Sequence, residues 1–209
     1  MKINKVTLLY FAGILAWVGY LYLISYNGFI FAKSMPPRFP IFVFIPVIAF
    51  IGIFFYAKRN SEIFEDIPSI WAIYYQSFRV VMELIIFMTF SAGLIPIQAT
   101  FQGYNFEIVF AFTAPIIAYF SYVKPIIPKK LVIAWNVIGI LFLVIVVSII
   151  VTSYFAPEMW GTDSQLIDIR FARLPLILLP AFIVPSAIFV HLFSILQLQK
   201  EIKRSANNA

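Results

Sequence analysis

The chain has 209 residues, of which 63% are hydrophobic and 11% charged, with a mean hydropathy of +0.97; a soluble domain carries about 25% charged residues, so a soluble fold is excluded. Cysteine is absent, which excludes disulfides, thiolate metal sites and cysteine nucleophiles together. The formal charge of +6 belongs to basic residues at the ends of apolar segments, where they anchor against anionic headgroups, and it gives no ground for nucleic-acid binding.

Six stretches are long enough to cross the roughly 30 Å hydrocarbon layer as helices. They predict an all-α fold, a polytopic transmembrane helical bundle with about six spans in one integral-membrane domain over residues 1–209. The first, 6–26, follows Lys2 and Lys5. Its apolar run of about 20 residues exceeds that of a secretory leader and no small-residue cleavage site follows, so it reads as a retained anchor. Met35-Pro36-Pro37-Arg38 then breaks the chain, because proline offers no amide and clashes with the preceding turn. Segment 41–57 leads into an acidic connection, 58–68, in which Glu62, Glu65 and Asp66 follow an Asn60 or Ser61 cap and suggest a short interfacial helix. The remaining spans are 69–95, 105–123, 131–155 and 174–198. Between the last two runs the longest loop, with Glu158, Asp163, Asp168, Arg170 and Arg173. Pro46, Pro115, Pro180 and Pro185 lie inside spans, and each frees a backbone carbonyl that must find another partner. Trp17, Trp71, Trp135 and Trp160 fall near span ends, where indoles anchor helices at the interface.

Orientation follows from the basic residues. Ten of them, including Lys2, Lys5, Lys58, Arg59, Lys124, Lys129, Lys130, Lys200, Lys203 and Arg204, fall on the side of the termini, against Lys33, Arg38, Arg170 and Arg173 on the other. The positive-inside bias therefore predicts both termini in the cytoplasm.

An ionisable residue in a bilayer costs several kcal/mol and persists only when paired or facing a polar cavity, which makes it a functional-site hypothesis. At about 100° per residue, Gln76, Arg79 and Glu83 fall within an arc of about 60° on the third span. Arg79 and Glu83, four apart, can pair along their own helix, which would leave the group a packing device. Counted from the inner helix ends at ~1.5 Å per residue, these three residues, Asn136 and His191 occupy one slab. Converging, they would form a ligand-binding site with Arg79 as counter-ion, or a proton relay through Glu83 and His191. His191 is the only histidine; it supplies neither bis-histidine haem ligation nor a metal ligand set, so no cofactor and no metal is assigned. A second polar group, Gln102, Asn105 and Glu107 with Arg170 and Arg173, is placed toward the outer side. Glu107 needs a partner there, which Arg170 or Arg173 would supply; separate snorkelling of each residue is the alternative.

The stretches Gln76-x-Phe78-Arg79-x-x-x-Glu83, Thr100-Phe101-Gln102-Gly103-Tyr104-Asn105-Phe106-Glu107, Thr113-Ala114-Pro115 and Trp135-Asn136 together resemble a family of small bacterial polytopic membrane proteins with no assigned activity. The resemblance covers roughly residues 70–195 and implies a bacterial inner-membrane protein of about six helices. In that pattern Asp is expected at the position of Glu107 and Arg at that of Tyr104, so Tyr104 removes an outer-side charge here.

Three functions stay open. The first is binding or transport of a small anionic or amphipathic molecule through the Arg, Glu, Asn and His cluster. The second is a non-catalytic scaffold or accessory subunit, as a homo-oligomer or with a membrane partner protein. The third is an intramembrane lipid-modifying enzyme using Glu83 and His191 as acid and base. A retinal protein is excluded by the lack of a lysine within a span, and an aspartyl intramembrane protease by the confinement of Asp66, Asp163 and Asp168 to connections.

Overall fold

The computed structural model describes residues 5–26, 28–31, 37–59, 61, 63–162 and 166–207. Lys2, Lys33, the Met35-Pro36 part of the first breaker, the Asn60 cap, Glu62 and Asp163 lie outside the described residues. The described residues are helical, with no strand among them. In chain order the α-helices are α1 Lys5–Tyr26, α2 Ile45–Lys58, the short α3 Ile63–Asp66, α4 Ser69–Tyr75, α5 Arg79–Ser91, α6 Glu107–Ala118, α7 Lys129–Phe155 and α8 Val184–Asn207. The 3-10 turn Gln76–Phe78 joins α4 to α5, and single π-helical turns precede α2 (Pro40–Phe44), extend α6 (Tyr119–Val123) and precede α8 (Leu179–Ile183).

Five of the continuous helices are long and apolar enough to cross a membrane: Leu8–Tyr26, Pro40–Lys58, Ser69–Ser91, Lys129–Phe155 and Leu179–Asn207. The fourth expected span is the shorter apolar helix Glu107–Val123. Its shortness has a local cause. Gly93, with φ +71°, stops α5: the Gly93 amide donates to Phe90 O (2.7 Å) and the Leu94 amide to Thr89 O (3.1 Å), the paired bonds of a Schellman stop, and Pro96 follows. The third span thus ends at Ser91 rather than continuing to 95. The chain then turns inward, burying Leu94, Ile95, Ala99, Thr100 and Asn105 before α6 begins. Non-helical backbone is tolerated between membrane helices only where protein covers it, and this segment packs in the main core with Ile149, Phe171 and Ile177.

The same core holds the helix irregularities together. The helical acceptor of a Pro46 N–H would be Phe42 O and that of a Pro185 N–H would be Ala181 O, but proline has none to give. Tyr20 Oη donates to Phe42 O (3.0 Å) and Trp17 Nε1 to Ala181 O (3.1 Å). One stacked aromatic pair on α1, with ring centroids 5.2 Å apart, therefore satisfies both carbonyls. Trp17 is a helix-to-helix fastener rather than an interfacial anchor. Trp135 and Trp160 also donate within the protein, to Thr113 Oγ1 and Thr152 Oγ1 (3.2 Å each), whereas Trp71 is exposed.

The connections sort to two ends. At one, Lys129 pairs with Glu201 (2.7 Å), Arg204 with Glu65 (2.5 Å), and Gln197 Nε2 donates to Phe64 O and Ile67 O (2.9 and 2.6 Å), so α3, the start of α7 and the end of α8 meet. The short helix expected in the acidic connection is α3. At the other, the Asp168 amide donates to Leu94 O (2.9 Å) and the Leu166 amide to Ser153 O (3.1 Å).

Candidate functional site: a buried polar network

The third helix tightens into a 3-10 turn at Gln76–Phe78 and resumes as α5 at Arg79. Gln76, Arg79 and Glu83 all face inward, as their spacing predicted, and are 0%, 3% and 3% exposed. They do not share one set of partners. Gln76 Nε2 reaches Ala187 O on α8 at 3.5 Å. Arg79 forms its ion pair with Glu107, across to α6, and not with Glu83 on its own helix. It also donates from Nη1 to His191 Nε2 (3.1 Å), and its guanidinium carbon lies 5.9 Å from the centre of the Phe110 ring.

Arginine has only donors, so Nε2 of His191 is an acceptor and its imidazole carries the proton on Nδ1. That proton goes to Asn136 Oδ1 (2.8 Å). Asn136 is thereby oriented with its amide outward, donating to Val132 O (2.8 Å) and to Ser194 Oγ (3.2 Å). The direction of donation runs from α5 to α8 to α7 and back to α8. Gly139, one turn beyond Asn136, provides room for the ring: a Cβ there would lie 2.5 Å from His191 Cε1 and 2.6 Å from Nε2. Phe110 and Trp135 pack against the imidazole in edge-type contacts, with centroids 6.4 and 5.7 Å away.

On the other side of Arg79, Asn105 uses its whole amide. Its Nδ2 donates to Glu83 Oε2 (2.8 Å) and Ala99 O (3.2 Å), and its Oδ1 accepts the Glu107 amide (3.0 Å). Capping the start of α6 two residues ahead is what an Asn does in an Asx turn, and the carboxylate of Glu107 in that first turn suits the helix dipole. The loop delivering Asn105 is ordered by the Thr100 hydroxyl, which donates to Ile97 O (2.8 Å) and accepts the Gln102 amide (3.2 Å). At Gly103 a Cβ would come within 2.6 Å of Gln98 Cα, so only glycine lets the loop close so tightly.

The two polar groups expected from the sequence are thus redistributed. Asn105 and Glu107 belong with Arg79, Glu83, Asn136 and His191 in one network, while Gln76 stands apart from it, bonded to Ala187 O. Gln102 and Arg173 are exposed, and Arg170 turns to Asp168 (2.9 Å), so neither arginine is the partner of Glu107. The physical reason is depth. Arg79 lies twelve residues before Ser91, about 18 Å along a helix axis, and α6 packs beside α4 and the 3-10 turn, so Glu107 starts its helix well below the level where the third span ends. Ser194 completes the network by accepting from Asn136 and makes no hydrogen bond to His191. With both carboxylates ionised, the formal charges are one positive on Arg79 and two negative on Glu83 and Glu107. Among the described residues, no three His, Asp or Glu side chains are grouped to hold a metal ion. Comparison with family models, curated proteins and solved structures gives no match.

Proposed function

We propose that the chain is a six-helix protein of a bacterial inner membrane, with both termini cytoplasmic, in which the Arg79 network fastens the helices of a non-catalytic scaffold or accessory subunit. The observation that carries this reading is the state of Arg79: the buried guanidinium is engaged by Glu107 and by His191, so its charge is answered from within. The orientation rests on the basic connections gathering at the end where α8 terminates, and the membrane on the family resemblance. The exposed apolar faces of α1 and α2 meet the lipid bilayer or a further membrane partner, including a second copy.

A second reading keeps binding or transport of a small molecule. It is favoured by the surplus carboxylate: Glu83 accepts from Asn105 and stands outside the Arg79–Glu107 ion pair, so a proton or cationic group can be exchanged there without breaking the chain through His191.

One pair of variants separates the two. Arg79→Met alone leaves the buried Glu107 carboxylate without its cation and is expected to cost about 3–5 kcal/mol. Arg79→Met with Glu107→Leu replaces the pair by apolar groups of similar volume and recovers most of that. A folded double variant with wild-type crosslinking in native membranes supports the scaffold. The second reading takes its place if wild-type melting in detergent changes between about pH 5 and pH 8 and folded Glu83→Gln loses that change.

A further inference from the structure

A cavity of about 160 Å³ opens where α3, the start of α4 and the last turns of α8 meet; Phe64, Ser69, Gln197, Lys200, Glu201 and Arg204 line it. Its size is well above the ~10–15 Å³ that admits one water. Most of its polar groups are answered within the protein. Glu201 accepts from Ser69 Oγ (2.5 Å) and Tyr122 Oη (3.3 Å) and pairs with Lys129, and Arg204 pairs with Glu65.

Two groups are not. Gln197 is 1% exposed, and both N–H groups of its amide are committed to the carbonyls of Phe64 and Ile67. Its Oε1 is therefore fixed in direction, and it is buried with no hydrogen-bond partner. A buried acceptor left without a donor is costly. Lys200 Nζ makes one hydrogen bond, to Ser61 O (3.0 Å), and sits 4.9 Å from the Phe64 ring centroid. Among the described residues it has no ion pair, and two of its three N–H donors are left over. On the wall itself Lys200 and Arg204 balance Glu65 and Glu201, but both carboxylates are already paired, Glu65 with Arg204 and Glu201 with Lys129 from outside the lining, so the charge of Lys200 is the one left without an ion pair.

We propose that this cavity binds a phosphate ester bearing an adjacent N–H or O–H donor, as in ethanolamine and glycerol phospholipid headgroups. The phosphate lies against Lys200 and the exposed Arg204, and the donor reaches Gln197 Oε1. Each half of such a headgroup answers one unmet group. The surroundings suit a lipid: Ile67, on the cavity wall, and Trp71, whose amide bonds to the lining residue Pro68, expose 44% and 63% of their surface and offer an apolar path for acyl chains, and basic residues at this end attract anionic headgroups. A choline headgroup has the phosphate but no donor, so it leaves Gln197 Oε1 unmet. The site is independent of the Arg79 network, and neither reading requires the other.

The test is melting of the detergent-purified full chain, titrated with phosphatidylethanolamine, phosphatidylglycerol and phosphatidylcholine of matched acyl chains, and with soluble phosphoethanolamine. The ethanolamine and glycerol lipids are expected to raise the melting temperature at roughly ten-fold lower concentration than the choline lipid. Lys200→Gln keeps an amide N–H for Ser61 O but removes the charge, and is expected to lose the response; Lys200→Arg keeps it. A response to soluble phosphoethanolamine as strong as to the lipid assigns the site to a free phosphate ester, and a response to lipid alone assigns it to the membrane. Equal responses to all three lipids, or a full response in Lys200→Gln, overturn the proposal. The headgroup preference of the wild type decides the matter without reference to any variant.

Discussion

Asn105 holds Glu83 with its Nδ2 at 2.8 Å while its Oδ1 caps the Glu107 amide, so a single side chain sets the distance between the two buried carboxylates. Asn105→Asp keeps the cap but turns the donor into an oxygen facing Glu83. The loss of a charged hydrogen bond and the new repulsion are expected to cost at least about 3 kcal/mol. Adding Glu83→Gln restores a donor across the same gap and should recover most of it. Melting of the two single variants and the double one in the same detergent checks this; a double variant no more stable than Asn105→Asp would refute the assignment.

Gly139 and His191 share one space. The ring cannot retreat, because Arg79 holds Nε2 and Asn136 holds Nδ1. Gly139→Ala is therefore expected to cost about 1–3 kcal/mol by overpacking, although alanine is otherwise the better helix former. In a His191→Ala background the same substitution should be neutral or stabilising. A double-mutant cycle measures that coupling, and additive effects would mean that the ring is not where it is described.

How far these contacts could be read from the chain depends on what each one needs. Apolar length found the first five helices to within a few residues but placed the last at 174–198, whereas it runs Leu179–Asn207, its polar final turns carrying no apolar signal; the spacing of Gln76, Arg79 and Glu83 gave the buried face of the third. The sum of hydropathy over a window is blind to backbone, however, and Leu94-Ile95-Pro96-Ile97 looks as apolar as the helix before it. The stop lies in Gly93, and only the three-dimensional path shows the segment after it turning inward. That path decides the partner of Glu107. The signal available was indirect: a carboxylate at a helix start with no nearby Lys or Arg must take its cation from elsewhere, and Arg79 was the one basic residue inside a span. Prolines behaved similarly. Pro46 and Pro185 announced unpaired carbonyls, but nothing local pointed to Tyr20 and Trp17 as donors.

Asp168 lies in the connection outside the spans. Arg170 donates to it from the backbone (2.7 Å) and from Nε and Nη2 (2.9 Å each), and these hydrogen bonds hold its carboxyl below the usual aspartate range. A group lowered on folding contributes stability that is complete above its unfolded pKa of about 3.9 and disappears as pH falls through the lower folded value. For an exposed pair the global effect is small, so the readout is local. Hydrogen exchange at the Arg170 amide should stay protected from neutral pH down to about pH 4 and lose protection only below it. Asp168→Asn should abolish that acid transition; an unchanged transition would place its origin elsewhere.

Trp17 and Ala181 allow the proline argument to be tested by swapping the donor. Trp17→Phe keeps most of the aromatic packing against Tyr20 but removes the N–H, leaving Ala181 O unpaired at an expected cost of about 1 kcal/mol, within the range of interhelical hydrogen bonds in membranes. Pro185→Ala supplies a backbone N–H four residues beyond Ala181, so it should rescue Trp17→Phe. It should not rescue Tyr20→Phe, whose loss falls on Phe42 O and calls for Pro46→Ala instead. Melting temperatures of the four single and four double combinations distinguish this from general packing loss. If either proline replacement rescues both aromatic variants equally, the carbonyls are not the groups at stake, because each proline lies four residues from only one of them.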